Sequence, residues 1–333
     1  MKIVVATGIY PPEVGGPSTY AANLVEALES QGHKVSVVLY GTLKKWPTGL
    51  RHLLYAIKLI PRTFFADGII AFDTYSVGLP AALAHFISRT PLIVRVGGDF
   101  IWEQYLERTG DLLPLPEFYQ HREKWGMKEK ITFAITRWIL QQAIVVFNTQ
   151  WLLDLWHNAY RLEEKRIRVI ENAVGIPRDV VPARQKNFLF YSRQIALKNA
   201  PAFKRAFAAA KQEYPDVRLE EGMIPHAELV ERIKGCYAVV VPSISDVAPN
   251  YILDAMRAGK PFLLTKHSGY AERFRDYGVI VDPLDETDMV RGIGELANPE
   301  VYERLSARIA DFNEIHTYDD ITREYLAVLN GRI

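Results

Sequence analysis

The stretch that decides the fold is the first forty residues, 1-MKIVVATGIYPPEVGGPSTYAANLVEALESQGHKVSVVLY-40. IVVAT is a short run of β-branched and small apolar residues, the composition of a strand buried on both faces of a parallel sheet. A glycine-containing loop follows. A helix is then predicted from about Ser18 to Gln31, with Ala22, Leu24, Val25 and Leu28 at core spacing and Gly32 as its stop. KVSVVLY is a second strand. Strand, helix and strand in this order make a βαβ unit, which pairs its strands in parallel through a right-handed crossover.

The same alternation continues outward. GIIAFD, LIVRV, AIVVFN and IRVIEN read as strands, GLPAALAHFIS and LLDLWHNAY as helices, and Gly97 to Lys124 as a long irregular loop. ENAVGIPRDVVPARQ (171–185), with two prolines and a glycine, reads as a domain linker. A second series follows: strands NFLFYS, VRLEEG, AVVVPS, PFLLT and VIVDP alternate with helices PAFKRAFAAAKQEYP, HAELVERIKG, YILDAMRAGK and YAERFRDYG, and DDITREYLAVLNG closes the chain as a helix. The expected fold class is α/β, with two Rossmann-like doubly wound parallel-sheet domains facing across a cleft. Ligands of such sheets bind at the carboxyl ends of the strands, so the residues just after each strand are the ones to weigh.

Length and composition agree with two globular domains. The chain has 333 residues, 49% apolar and 24% charged. Forty Lys and Arg against 39 Asp and Glu leave a net charge of +1, which gives no reason to propose a nucleic-acid partner. The one cysteine, Cys236, excludes an internal disulfide. No secretory leader or membrane span is read, so a cytoplasmic location is expected. Charge is nevertheless uneven. No acid lies between Glu29 and Asp67, where Lys34, Lys44, Lys45, Arg51, Lys58 and Arg62 fall. Leu50, Leu53, Leu54, Ile57 and Ile60 recur at helical spacing, with Trp46 upstream. Residues 44–62 therefore read either as a basic amphipathic helix peripheral to the inner face of a membrane or as an ordinary helix with a solvated basic face.

Four groups of residues could carry chemistry. Gly15 and Gly16 open the first helix, where close backbone approach and the helix N-terminus suit a phosphate; a tight turn is the other reading. Arg193 and Lys198 flank the turn after the first strand of the second series and could neutralise a diphosphate, or be solvated charges. In PSISDVAPNYILDAMRAGKP, Asp246 and Asp254 are separated by seven residues. The amides of Asn250, Tyr251 and Ile252 would face a phosphate, Asp254 could accept bonds from two ribose hydroxyls, and Asp246 could reach a sugar. Read otherwise, Asp246 is a cap and Asp254 a solvated helix residue. Lastly, VRVGGDFIWE offers Gly98, Asp99 and Glu103; Asp99 could act as a base or bond a sugar, or simply cap a helix. No DxD, HExxH or cysteine cluster points to a metal.

These residues resemble a known pattern. IYPPEVGGPSTYAANLVEALESQGHKVSVV, VIENAVGIP, SRQIALKNA and SISDVAPNYILDAMRAGKPFLLT are similar to glycosyltransferase family 4, of GT-B fold. The resemblance implies a retaining hexosyl transfer from a UDP- or GDP-type sugar, used as co-substrate with no other cofactor and no metal, to a glycan or lipid-linked acceptor. It implies acceptor binding by residues 1–175, donor binding by 176–313, and a final helix, 314–333, returning to the first domain. By motif position Arg193 and Lys198 would hold the diphosphate, Asp254 the ribose and Asp246 the donor sugar. Gly15 and Gly16 would close over the phosphates. The chain departs from the family in carrying Asp at both usual Glu positions, which draws each carboxylate back by about 1.5 Å. Val247 and Ala248 replace the usual glycine and aromatic, and Gly98-Asp99 replaces His-Asp. These departures motivate an alternative, a catalytically silent GT-B-like protein that binds sugar nucleotides or carbohydrate; a non-hydrolysing sugar-nucleotide epimerase shares the architecture.

Overall fold

A computed structural model describes residues 1–331 except Val14, Lys44, Thr48 and Asp179. The chain divides into two compact units. The first comprises Met1–Ile101, Arg122–Ala173 and His316–Ile333; the second comprises Trp102–His121 and Val174–Ile315.

In the first unit, β1 (Lys2–Thr7), α1 (Gly16–Ser30), β2 (Lys34–Leu39), α2 (Leu50–Thr63), β3 (Gly68–Ala71), α3 (Gly78–Ser88) and β4 (Leu92–Val96) alternate. After β4 the chain passes through α4 (Phe100–Thr109) and α5 (Leu115–Gln120), which from Trp102 on belong to the second unit, and returns to the first with α6 (Met127–Gln142), β5 (Ile144–Phe147), α7 (Gln150–Tyr160) and β6 (Ile167–Val169). The strands form one parallel sheet, ordered β2-β1-β3-β4-β5-β6. Ile3 and Val5 of β1, Ile70, Ile93 and Val146 pack on Tyr20, Leu24 and Leu28 of α1.

The second unit holds β7 (Lys186–Tyr191), α8 (Ala200–Glu213), β8 (Val217–Gly222), α9 (His226–Gly235), β9 (Ala238–Val241), α10 (Asn250–Arg257), β10 (Phe262–Thr265) and β11 (Gly278–Val281). Two helices, α11 (Glu286–Ala297) and α12 (Pro299–Ala310), complete it. Its parallel sheet runs β11-β10-β9-β7-β8. Successive residues of one strand serve opposite cores. Phe188 and Phe190 pack towards α8 and α11, whereas Leu189 joins Ile252 and Met256 of α10. That two-sided burial is why these strands are unbroken apolar runs rather than alternating ones.

The last helix, α13 (Tyr318–Leu329), belongs to the first unit and packs along α1 through Ile321, Tyr325 and Val328. Thr317 caps it: its hydroxyl accepts the Asp320 N–H at 3.2 Å, and the Asp320 carboxylate accepts the Thr317 N–H at 2.8 Å. The approach is close enough that a Cβ on Gly68 would lie 2.6 Å from Leu329 Cδ2.

Two local expectations need correction. Residues 97–124 are not irregular: α4 and α5 form there, because Trp102, Tyr105, Leu106, Phe118 and Tyr119 are all buried and give the segment its own core. YAERFRDYG is not a helix. It is a series of turns between β10 and β11, with Tyr270 and Phe274 buried and the preceding Gly269 N–H already bound to Val247 O at 3.0 Å. Smaller differences occur at ends, such as α1 starting at Gly16 rather than Ser18.

Candidate functional site

The order β11-β10-β9-β7-β8 puts the topological switch point of the second sheet between β7 and β9, where the loops leaving adjacent strands diverge and open a crevice. Those two loops carry Lys198 and Asp246. The Lys198 ammonium lies 2.6 Å from Asp246 Oδ2, with side-chain exposures of 21% and 16%. Ser243 Oγ donates to the same oxygen at 3.4 Å.

The geometry is set by stitching between loops. Ile244 N–H donates to Leu197 O at 2.8 Å, and Asp246 N–H to His267 O at 3.0 Å. Asn199 takes a left-handed conformation, φ 57°, directly after the short turn Ala196–Lys198. Its buried amide donates to Pro242 O at 3.2 Å and to Pro283 O at 2.7 Å. One side chain thus ties the loop after β7 to those after β9 and β11. Asn tolerates the left-handed region better than most residues, because its short polar side chain bonds locally.

The segment 102–121 holds these loops from a third direction. Glu107 Oε1 accepts the Ala196 N–H at 2.9 Å, and Ser245 Oγ accepts the Leu115 N–H at 3.0 Å. No sequence signal singled out Glu107 or Ser245, because each acts through a partner distant in the chain, and Ser243, only three residues from Asp246, was not picked out either.

Asp254 lies on α10 with its side chain 10% exposed. Oδ2 is 2.8 Å from His226 Nε2 and Oδ1 is 3.6 Å from Arg257 Nη1. The hydrogen bond to Asp254 raises the His226 pKa above its ordinary value, against an opposing effect of burial. His226 opens α9 with only three residues between it and the end of β8. That short connection is the compact stretch between Glu220 and His226 in the sequence, and its consequence is to deliver an imidazole to the second carboxylate.

Other residues need revision. At the start of α10 the Ile252 N–H donates back to Pro249 O at 3.0 Å, so that amide is spent and only those of Asn250 and Tyr251 precede it. Arg193 is exposed, with no side-chain partner among the described residues. Asp246 is not the N-cap of α10, a position that Pro249 takes, and its carboxylate is engaged by Lys198 and Ser243. Lys260, in the trailing AMRAGKP, is buried and donates to Val181 O at 2.5 Å, which anchors the linker.

In the first unit, Gly15 (φ 155°) precedes α1 and Gly16 is its first residue. Ser18 and Thr19 N–H both donate to Gly15 O, at 3.0 and 3.1 Å, and Pro17 has no N–H. Of the first-turn amides, only that of Gly16 lacks a backbone partner among the described residues, which narrows the phosphate cradle expected of this pair. Gly98 lies in the bend before α4, and Glu103 in its first turn, in the portion assigned to the second unit. Asp99 is 1% exposed and accepts the Trp156 indole N–H at 3.0 Å. This corrects the reading of Asp99 as an accessible base: the carboxylate pins the end of β4 to α7.

The switch point of the first sheet, between β1 and β3, holds instead a cluster not picked out from the sequence. Asp73 Oδ1 accepts the Tyr75 and Val77 N–H groups at 2.9 and 3.0 Å, and burial pushes its carboxyl pKa up. Beside it Tyr75 stacks on Phe100, with centroids 5.1 Å apart, and meets His52 edge-on at 5.3 Å. Tyr40 lies 5.7 Å from His52. Tyr40 and His52 are buried and support the cluster from behind, whereas the partly exposed rings of Tyr75 and Phe100 are suited to the apolar face of a sugar ring. Among the described residues, no three His, Cys, Asp or Glu side chains gather as a metal site requires.

Two parallel-sheet α/β units, with a cation–carboxylate pair at the second sheet's switch point, define a GT-B glycosyltransferase, and comparison with known proteins agrees. Glycosyltransferase Family 4 matches residues 14–178, and glycosyl transferases group 1 matches residues 222–311. The chain belongs to glycosyltransferase family 4. No curated protein matches it in sequence. Among solved structures, Anabaena HepE in complex with UDP-glucose is 16% identical, with TM-score 0.67, over 98% of this chain and 100% of that one. WaaG, a glycosyltransferase involved in lipopolysaccharide biosynthesis, is 14% identical with TM-score 0.68, over 98% and 100%. Sucrose-phosphate synthase from Thermosynechococcus elongatus is 15% identical with TM-score 0.68, over 99% and 98%.

Proposed function

We propose that this glycosyltransferase moves a hexose from a nucleoside diphosphate sugar, UDP or GDP type, to a hydroxyl of a glycan or lipid-linked glycan, with retention and without a metal. The observation that carries the reading is the Lys198–Asp246 pair at the β7/β9 switch point. A diphosphate entering there meets Lys198 and the unpaired Arg193 as the cations that replace a metal. As Lys198 turns to the phosphates, Asp246 is released to accept hydrogen bonds from the donor sugar. Asp254 binds the ribose, and the imidazole of His226 offsets the missing methylene at that position.

The acceptor hydroxyl attacks the anomeric carbon from the face of the leaving group. The new C–O bond forms as the bond to the β-phosphate oxygen breaks, and the hydroxyl proton passes to that departing oxygen. No protein nucleophile takes part. We assign the donor to residues 176–313, with the segment 102–121 as support, and the acceptor sugar to the aromatic cluster around Tyr75 and Asp73 in residues 1–175. The final residues, 314–333, brace the acceptor side. A location in the cytoplasm, peripheral to the inner face of the membrane, suits a lipid-linked acceptor.

Thermal unfolding in the presence of UDP-, GDP- and ADP-sugars tests donor binding, with stabilisation expected for one of the first two. The configuration of the transferred sugar, read by NMR, tests retention; an inverted product overturns it. The Lys198–Asp246 pair also favours a second reading, a silent sugar-nucleotide binder in which the two charges only satisfy one another. Binding without transfer or hydrolysis across many acceptors would select it.

A further inference from the structure

Helix α2 does not hide its apolar residues as a solvated surface helix does. Its buried residues are His52, Tyr55, Ala56, Leu59 and Thr63. Leu53 and Ile57 face outward, and the turn after the helix presents Phe64 and Phe65, the latter 78% exposed. The neighbouring helix α3 packs along α2 and exposes Phe86 and Ile87 near its own C-terminal end. The two ends are joined, since Thr90 Oγ1 donates to Thr63 O at 2.6 Å. Phe64 and Phe65 after α2 and Phe86 and Ile87 closing α3 are therefore exposed on either side of one junction.

The two helices of this surface carry charge of one sign. Neither α2 nor α3 contains an acid. Lys58 and Arg62 are exposed on α2, and Arg89 follows α3 with its guanidinium 5.1 Å from the Phe86 ring. Arg62 also donates to the backbone O of Lys58, which folds its side chain back along the helix. Soluble monomers rarely group exposed aromatic and aliphatic residues this way. Apolar side chains rimmed by cations, on helices without a carboxylate and with Asp67 beyond Phe65 as the nearest acid in the chain, match the interface of an anionic bilayer, where rings enter the acyl boundary and Lys and Arg meet lipid phosphates.

We infer that the α2–α3 face is a monotopic membrane-binding surface selective for anionic lipid. This deepens, and rests on, the membrane contact proposed above, but it does not depend on the transfer chemistry. The face extends α2's contribution, read from residues 44–62, to a second helix that no charge or periodicity in the sequence marked; Lys44 lies outside the described residues. It also has a functional direction. The inner side of α2 carries His52, next to Tyr75 in the acceptor-side cluster. A 14-residue helix spans about 21 Å. A bilayer against Leu53 and Ile57 lies one helix diameter, ~10–12 Å, from that cluster, and one against Phe64 and Phe65 lies nearly a helix length from it.

The test is co-sedimentation of the full chain with vesicles of phosphatidylcholine alone and with added phosphatidylglycerol. Binding is expected only with the anionic lipid. Phe65→Ser with Phe86→Ser should weaken it at least tenfold. Lys58→Glu with Arg62→Glu should weaken it by about fivefold or more per charge and remove the lipid preference. Both variants should keep the parent thermal midpoint and its shift with nucleotide sugar, so that loss of vesicle binding is read apart from loss of donor binding. Failure of the parent chain to bind anionic vesicles would overturn the inference. So would variants that bind like the parent, or a parent dimer that the serine variant converts to monomer while no form binds vesicles.

Discussion

Asp246 and Lys198 show how much one contact changes a residue-level reading. In the sequence they belong to separate motifs; in the folded chain they neutralise each other at 2.6 Å. Removing Lys198 leaves a half-buried carboxylate beside the incoming phosphates as well as deleting a cation. Lys198→Ala is therefore expected to lower transfer by about a hundredfold or more, the scale of losing a preorganised electrostatic group. Arg193→Ala, with no such pair to disrupt, should lower it less; steady-state rates near the parent value for both variants would remove them from the mechanism. His226 gives a pH-dependent prediction. Its pKa is raised above the ordinary 6.5 by the Asp254 hydrogen bond. The pair's contribution is fully present below about 6.5 and is lost as pH rises through the folded-state pKa. NMR titration should place the His226 midpoint above 6.5, and Asp254→Asn should bring it down; an unchanged midpoint in that variant would show that the carboxylate is not its cause.

At the scale of elements, the site depends on loops that one buried side chain holds in register. Asn199 combines a left-handed backbone with two hydrogen bonds to carbonyls of other loops. Asn199→Ala takes the amide from both carbonyls and leaves in the left-handed region a residue without asparagine's polar side chain, at a cost of about 2–4 kcal/mol. Asn199→Gly loses the same bonds without the backbone strain and should be less destabilising by about 1 kcal/mol. Urea unfolding of the two variants measures the difference; equal losses would mean the backbone conformation contributes nothing. Thr317→Ala removes the cap of α13 and should cost about 1 kcal/mol, read the same way. Strands and most helices were legible because two-sided burial writes continuous apolar runs. The helices in 97–124 were not, since their aromatic anchors lack a clean period, and YAERFRDYG looked helical although tertiary bonds at its start impose turns.

At the scale of the molecule, the chain order and the unit order differ. α13 is last in the chain yet completes the core of the first unit with Ile321, Tyr325 and Val328. Ending the chain at Ile315 should expose the apolar side of α1 and lower the thermal midpoint by many degrees. A truncated chain that unfolds like the parent would show that α13 is dispensable. The amino-acid sequence by itself determined the α/β class, the two series of βα units, the family, and the positions of Lys198, Asp246 and Asp254, because strand periodicity and motif spacing are local properties. Only the tertiary structure decided that Lys198 binds Asp246, that His226 meets Asp254, that Asp99 is sealed against Trp156, and that the apolar side of α2 faces outward beside α3. Each of those depends on which loops and helices the sheet order brings together, and contacts between residues far apart in the chain leave no period or spacing to read.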